Sequence, residues 1–128
     1  MKYTLGKGEK LKSKILIEQL FAGGKHVKSF PLRLIYLQKN HESEFPIQVG
    51  FSVPKRNVKL AVNRIRIKRL MREAYRKNKH LITESVNRQY LFMFIYMAKE
   101  EINYTDLAIT IEKIFTKFSN KIKDHEQN

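Results

Sequence analysis

"IQVGFSVPKRNVKLAVNRIRIKRLMREAYRK", residues 47–77, changes its period halfway, and that change sets the fold class. From Ile47 to Val53 the pattern alternates. Ile47, Val49, Phe51 and Val53 face one way and Gln48, Gly50 and Ser52 the other, as in a strand with one buried face. The second face carries small side chains, so its backbone is open to something extended lying on it; a merely solvated face gives the same pattern. After Pro54 the period becomes 3.6, and a helix is predicted from about Asn57, a candidate cap, to Asn78.

On a wheel of about 100° per residue, Ile67, Leu70, Met71 and Ala74 gather on one side and must pack on the sheet. Arg64, Lys68, Arg69, Arg72 and Arg76 gather opposite, with Arg66 and Lys77 nearer the edge. Arg64–Lys68, Lys68–Arg72 and Arg72–Arg76 are like-charge pairs four residues apart, which together cost roughly 1 kcal/mol. Glu73 alone stands close enough to relieve them. A phosphate-rich ligand offsets such a cost easily. Neutralising about six phosphates gives an affinity that falls on the order of a thousandfold over a modest rise in salt. Arginines on successive turns, about 5–6 Å apart, can track a nucleic-acid backbone, and arginine favours bidentate phosphate contacts. A solvated helix face is the plainer reading, but such faces mix both signs. Ile65 stands at the centre of the charged face, either covering Lys and Arg stems or touching a ribose or base.

The whole chain supports the same partner. Twenty-six Lys and Arg against twelve Asp and Glu give a net charge of +14, the balance of a protein that meets a polyanion. Hydrophobic residues make up 42% of 128 residues, so a folded core is expected rather than a disordered basic tail. There is no cysteine, which removes disulfides, thiolate metal sites and cysteine nucleophiles and suits a reducing compartment. Met1 to Lys14 has lysines but no apolar segment of a secretory signal. The longest apolar run, Tyr90–Ala98, falls far short of the ~20 residues of a membrane helix. A soluble cytoplasmic protein without membrane partners is the expectation.

Working outward, residues 1–12 are lysine-rich and punctuated by Gly, and read as a flexible basic arm. Ser13 stands as an N-cap before Ile15, Leu16, Ile17, Leu20 and Phe21, and Gly23-Gly24 ends that short helix. Leu32–Gln38 is a strand with Leu32, Leu34 and Tyr36 on one side; Pro31 separates it from any strand before it. Lys39–Pro46 and Leu81–Gln89 read as loops. Tyr90–Met97 is a buried strand with Tyr90, Phe92, Phe94 and Tyr96 on one face and Leu91, Met93, Ile95 and Met97 on the other. Thr105 is read as the cap of a last helix whose Leu107, Ile111, Ile114, Phe115, Phe118 and Ile122 form one apolar stripe. The tail from about 123 to 128 is expected to fray. The order predicts one α+β domain over residues 1–128, a sheet of about four strands covered by three helices.

Self-sufficient nuclease chemistry is missing. It needs clustered carboxylates for metal ions or paired histidines. His26, His41, His80 and His125 lack metal-ligand spacing, Glu100, Glu101 and Asp106 read as a helix start, and no phosphate-binding glycine pattern appears. The protein alone is expected to be inert.

The stretch from Gly50 to Arg76, "GFSVPKRNVKLAVNRIRIKRLMREAYR", resembles the signature region of the protein subunit of bacterial ribonuclease P: a strand ending in a G-[LF]-[ST]-V run, a basic pair, and a helix reading RNRxKRxxRE. Arg64, Arg66, Lys68, Arg69, Arg72 and Glu73 match it in spacing, and Phe21 to Gly24, the apolar strand before the last helix and the length match more loosely. The family's Asn between the first two arginines is Ile65 here, so whatever that Asn contributes does not carry over.

The resemblance implies an α/β sandwich with a left-handed βαβ crossover, against the usual handedness. It also implies a subunit that pairs with a catalytic RNA to remove the 5′ leader of precursor tRNA, the RNA performing hydrolysis with magnesium. The arginine-rich helix, Arg64, Arg66, Lys68, Arg69, Arg72 and Arg76, would face the catalytic RNA. A groove with Phe21, Tyr36, Ser52, Lys55 and Arg56 would hold the single-stranded leader, by stacking and a basic lining; for Phe21 and Tyr36, core packing fits equally well. No residues are assigned to metal, and the free protein is expected to be monomeric. A structural RNA-binding protein, such as a ribosomal protein, shares the composition and lacks only the signature. A helix-turn-helix regulator would need a helix where the strand and Pro54 stand. A membrane-surface helix would need bulky exposed aromatics.

Overall fold

The computed structural model describes residues 6–41 and 43–126. Its regular elements are α1 (Lys14–Gly23), β1 (Lys25–Ser29), β2 (Leu32–Gln38), β3 (Ile47–Ser52), α2 (Ala61–Asn78), α3 (His80–Thr83), β4 (Tyr90–Tyr96) and α4 (Tyr104–Glu126). The strands form one sheet in the order β1-β2-β4-β3. β1 and β2 are an antiparallel hairpin, β2 pairs antiparallel with β4, and β3 pairs parallel with β4. A parallel pair needs a crossover, and the chain between β3 and β4 supplies it through α2 and α3. This is the βαβ unit of the expected α+β sandwich.

Period-two alternation gives the sheet two apolar faces. One carries Leu34, Tyr36, Val49, Tyr90, Phe92, Phe94 and Tyr96 and packs under α2 and α4. The other carries Ile35, Leu91 and Met93 and packs under α1 through Leu20, with Leu16 and Ile17 at its margin. The α4 stripe is buried as predicted, from Leu107 to Ile122. On α2 the buried set is Ile67, Met71, Ala74 and Tyr75, with Leu70 only partly covered. Tyr75 lies beyond the apolar set that the wheel gathers, and its ring lies 5.8 Å from Phe94 and 6.0 Å from Phe115. Complete burial pushes its phenol far above the usual range, so it stays neutral.

Several boundaries move. Ser13 caps α1 as expected, accepting from the Leu16 amide at 3.3 Å, and Gly24 ends it by donating to the Leu20 carbonyl. α2 begins at Ala61, after a turn in which the Asn57 and Val58 amides both bond to the Pro54 carbonyl. Asn57 is therefore no cap; its side chain donates to the Tyr96 carbonyl. α4 is capped by Asn103, whose Oδ1 accepts from the Asp106 amide at 2.9 Å, and not by Thr105, which lies inside the helix. α3 occupies the start of the expected loop 81–89, making four α-helices among the described residues instead of three.

The ends differ most. The expected arm, as far as it is described, is docked: Lys7–Glu9 form a 3₁₀ turn, Leu11 is buried, and its amide donates to the Val49 carbonyl at 2.9 Å. The single leucine among the lysines helps seat the segment, because Met93 and Leu20 offer it an apolar floor. Residues 1–5 lie outside the described residues. Of the expected frayed tail, residues 123–126 continue α4 as helix, and 127–128 lie outside the description.

Candidate nucleic-acid interface

α2 opens without a capping side chain. Instead Arg64 reaches back, its Nη1 donating to the carbonyls of Val58 at 3.0 Å and Lys59 at 2.7 Å. A guanidinium there orders the turn leading into the helix. Arg66 forms an exposed ion pair with Glu101 at 2.8 Å. Arg76 pairs with Glu73, which also lies 3.8 Å from Lys77. The Arg76 hydrogen bond holds the Glu73 carboxyl below its usual range, so it stays ionised at neutral pH. The six-residue stripe is thus divided. Arg64, Arg66 and Arg76 already have partners in the protein, while Lys68, Arg69 and Arg72 have no ion-pair partner among the described residues.

Ile65 is 59% exposed and stands beside two other exposed apolar side chains, Leu60 and Val62. It does not belong to the core. Ile65→Asn is expected to change stability by no more than about 0.5 kcal/mol, read by urea or thermal denaturation; a larger loss would place the side chain in the core.

The second predicted surface is the α1 side of the sheet. Ser52 ends β3 in register with Ile95, on the same face as Gly50. That face is less open than side-chain size suggests, because a Cβ on Gly50 would lie 2.8 Å from the end of Met93. Lys55 and Arg56 are exposed on the turn after β3. Phe21 is 49% exposed on α1, free to offer a ring.

Tyr36 does not join them. It is 5% exposed and lies on the opposite face, its ring edge-on to Phe118 at 4.8 Å. The register of β2 puts Ile35 and Leu37 on the α1 side instead. Tyr36 is core, and burial raises its phenol pKa accordingly. A cleft of about 770 Å³ on the α1 side is lined by Lys10, Lys12, Gln19, Lys39 and Gln48, among others. Of these, only Gln48 belongs to the face that the alternation of β3 marks as open. Lys10 and Lys12 fall in a segment that reads as a flexible basic arm, and the lone Leu11 between them is the signal that it docks.

A family model for ribonuclease P matches residues 5–119. The chain belongs to the ribonuclease P protein family. It is 36% identical over 108 residues to the ribonuclease P protein component of Chlorobaculum tepidum, covering 77% of this chain and 70% of that one. It is 36% identical over 94 residues to that of Porphyromonas gingivalis, covering 73% and 68%. The fold is similar to the ribonuclease P protein of Thermotoga maritima, with a TM-score of 0.68 at 17% identity, covering 85% of this chain and 96% of that one. The chain is thus a protein subunit of the ribonuclease P endoribonuclease. No helix among the described residues is long and apolar enough to cross a membrane. Among the described residues no three His, Asp or Glu side chains come together to hold a metal ion.

Proposed function

We propose that this subunit binds the catalytic RNA of ribonuclease P through α2 and the 5′ leader of precursor tRNA across the α1 side of the sheet. The observation that carries the reading is the trio Lys68, Arg69 and Arg72, without ion-pair partners among the described residues, on one helix face of a chain with charge +14. Arg66 and Arg76 hold exposed or half-exposed carboxylates, pairs weak enough for RNA phosphates to replace. Arg64 shapes the turn and leaves part of its guanidinium for RNA. Phe21 supplies a stacking ring, Ser52 a hydroxyl beside the strand, and Lys55 and Arg56 charge for the leader backbone. The magnesium ions and the hydrolysis are placed with the RNA, the division of labour that the family resemblance implies. The subunit acts as one domain, a monomer when free, in the cytoplasm.

The test is 5′-leader cleavage of a precursor tRNA at low magnesium by a bacterial catalytic RNA, with and without this protein. Cleavage that requires both supports the reading; tight RNA binding with no added cleavage would leave a structural RNA-binder. Within the active pair, Ser52→Ala with Arg56→Gln should weaken precursor tRNA relative to mature tRNA by about tenfold. Equal loss for both substrates would reject the leader surface.

A further inference from the structure

A second cleft lies at the outer edge of β3. It holds about 360 Å³ and is lined by Lys10 and Lys12, by Gly50 and Phe51 of the strand, and by Lys68 and Arg72 of α2. Among the described residues four cations and no carboxylate line it. None of the four has an ion-pair partner among the described residues. Like charges brought together from two distant segments repel, so the fold must hold them there.

The holding device is visible. Lys10 forms a parallel bridge with Val49, and the Leu11 amide bonds to the Val49 carbonyl. One residue earlier, both carboxylate oxygens of Glu9 accept from Lys79 Nζ, at 2.8 and 2.7 Å. The side chains of this pair are 7% and 13% exposed, and the Gly6 amide also donates to Glu9 at 3.3 Å. Lys79 directly follows α2, so a single buried ion pair ties the segment carrying Lys10 and Lys12 to the helix carrying Lys68 and Arg72. Removing one partner of such a pair leaves an unpaired buried charge, whereas replacing both is tolerated far better.

We propose that the β3-edge cleft is a binding site for RNA phosphodiesters, and that the Glu9–Lys79 pair positions half of its cations. Among the described residues the lining offers charge and no amide or hydroxyl side chain, which suits backbone contact rather than base reading. The inference rests on the assignment of α2 to RNA and adds a second wall to it. The N-terminal segment is then part of the RNA surface, not a loose attractant.

The proposal predicts a change of sign that net charge does not. Glu9→Gln makes the protein more basic, so long-range attraction alone would tighten RNA binding; loss of positioning weakens it. The Glu9→Gln/Lys79→Met double variant leaves net charge unchanged and removes both charges of the pair, and keeps the test alive if Glu9→Gln fails to fold by circular dichroism. Lys10→Gln/Lys12→Gln, both on exposed positions, removes the cations directly.

Affinity and its salt dependence would be measured for a bacterial ribonuclease P catalytic RNA, and for precursor and mature tRNA on the assembled holoenzyme. Lys10→Gln/Lys12→Gln should lower affinity about tenfold and reduce the salt slope by about one to two. The RNA that shows the loss is the one seated in the cleft. The charge-neutral double variant should lose a similar factor. If Lys10→Gln/Lys12→Gln changes neither RNA while Lys68→Gln/Arg72→Gln weakens binding, the cleft is not a phosphate site and the α2 assignment stands. If Lys68→Gln/Arg72→Gln also changes nothing, the α2 assignment falls and the cleft with it. Tighter binding by folded Glu9→Gln, or unchanged binding by the double variant, overturns the positioning role.

Discussion

Replacing Lys68, Arg69 and Arg72 together by glutamate is expected to lower affinity for the catalytic RNA on the order of a hundredfold or more near physiological salt. These three are the cations of α2 without an ion-pair partner among the described residues. Each phosphate that no longer meets a cation should take about 0.7–0.9 from the slope of log affinity against log salt. The slope should therefore flatten by about two to three. None of the three is buried, so the circular dichroism spectrum and melting temperature should stay close to those of the parent. Arg64 is left out of the variant because its guanidinium holds the Val58 and Lys59 carbonyls, and its loss would mix a folding defect with a binding one. Titrations at two salt concentrations about fourfold apart separate the two quantities. Unchanged affinity and slope would show that α2 does not face the RNA.

Period and charge made most of this legible in the sequence. Ile47 to Ser52 and Tyr90 to Tyr96 alternate because each strand has a helix layer on one or both faces, and the α4 stripe repeats at helical spacing for the same reason. Other features depend on contacts between distant residues, which no local pattern records. Glu9 sits among the lysines of what reads as a basic arm, yet its partner is Lys79, just past the end of α2. Tyr36 read equally well as core or groove, since alternation gives two faces without saying which helix covers which. Phe118 decides that. Asn57 and Thr105 have the chemistry of caps, but the turn on the Pro54 carbonyl delays one helix and Asn103 starts the other.

The stripe on α2 shows the same limit for the site. A helical wheel assigns a direction to each cation but no partner. Glu73 and Glu101 occupy three of the helix's seven basic residues from Arg64 to Lys77, and Arg64 is turned toward its own entry loop. What remains for RNA in the free protein is a tighter patch, with Lys68 and Arg72 facing the β3 edge.

Phe118→Ala is expected to cost about 3–5 kcal/mol while leaving the RNA surface unaltered. The ring is fully buried and joins α4 to both central strands, with centroids 4.8 Å from Tyr36, 4.9 Å from Phe92 and 5.2 Å from Tyr90, all edge-on. Edge-to-face contacts of this kind add to the burial they accompany, and the rigid sheet behind them cannot collapse to fill the space left by a ring. The melting temperature should fall by roughly 10–20 °C for a chain of this size. All of this packing lies on the face away from α1, so below the new midpoint the affinity for catalytic RNA and the preference for precursor over mature tRNA should match the parent. Tyr36→Ala should follow Phe118→Ala, losing stability without losing leader preference. A Tyr36 variant that melts normally but no longer distinguishes precursor from mature tRNA would put that ring back in the leader groove.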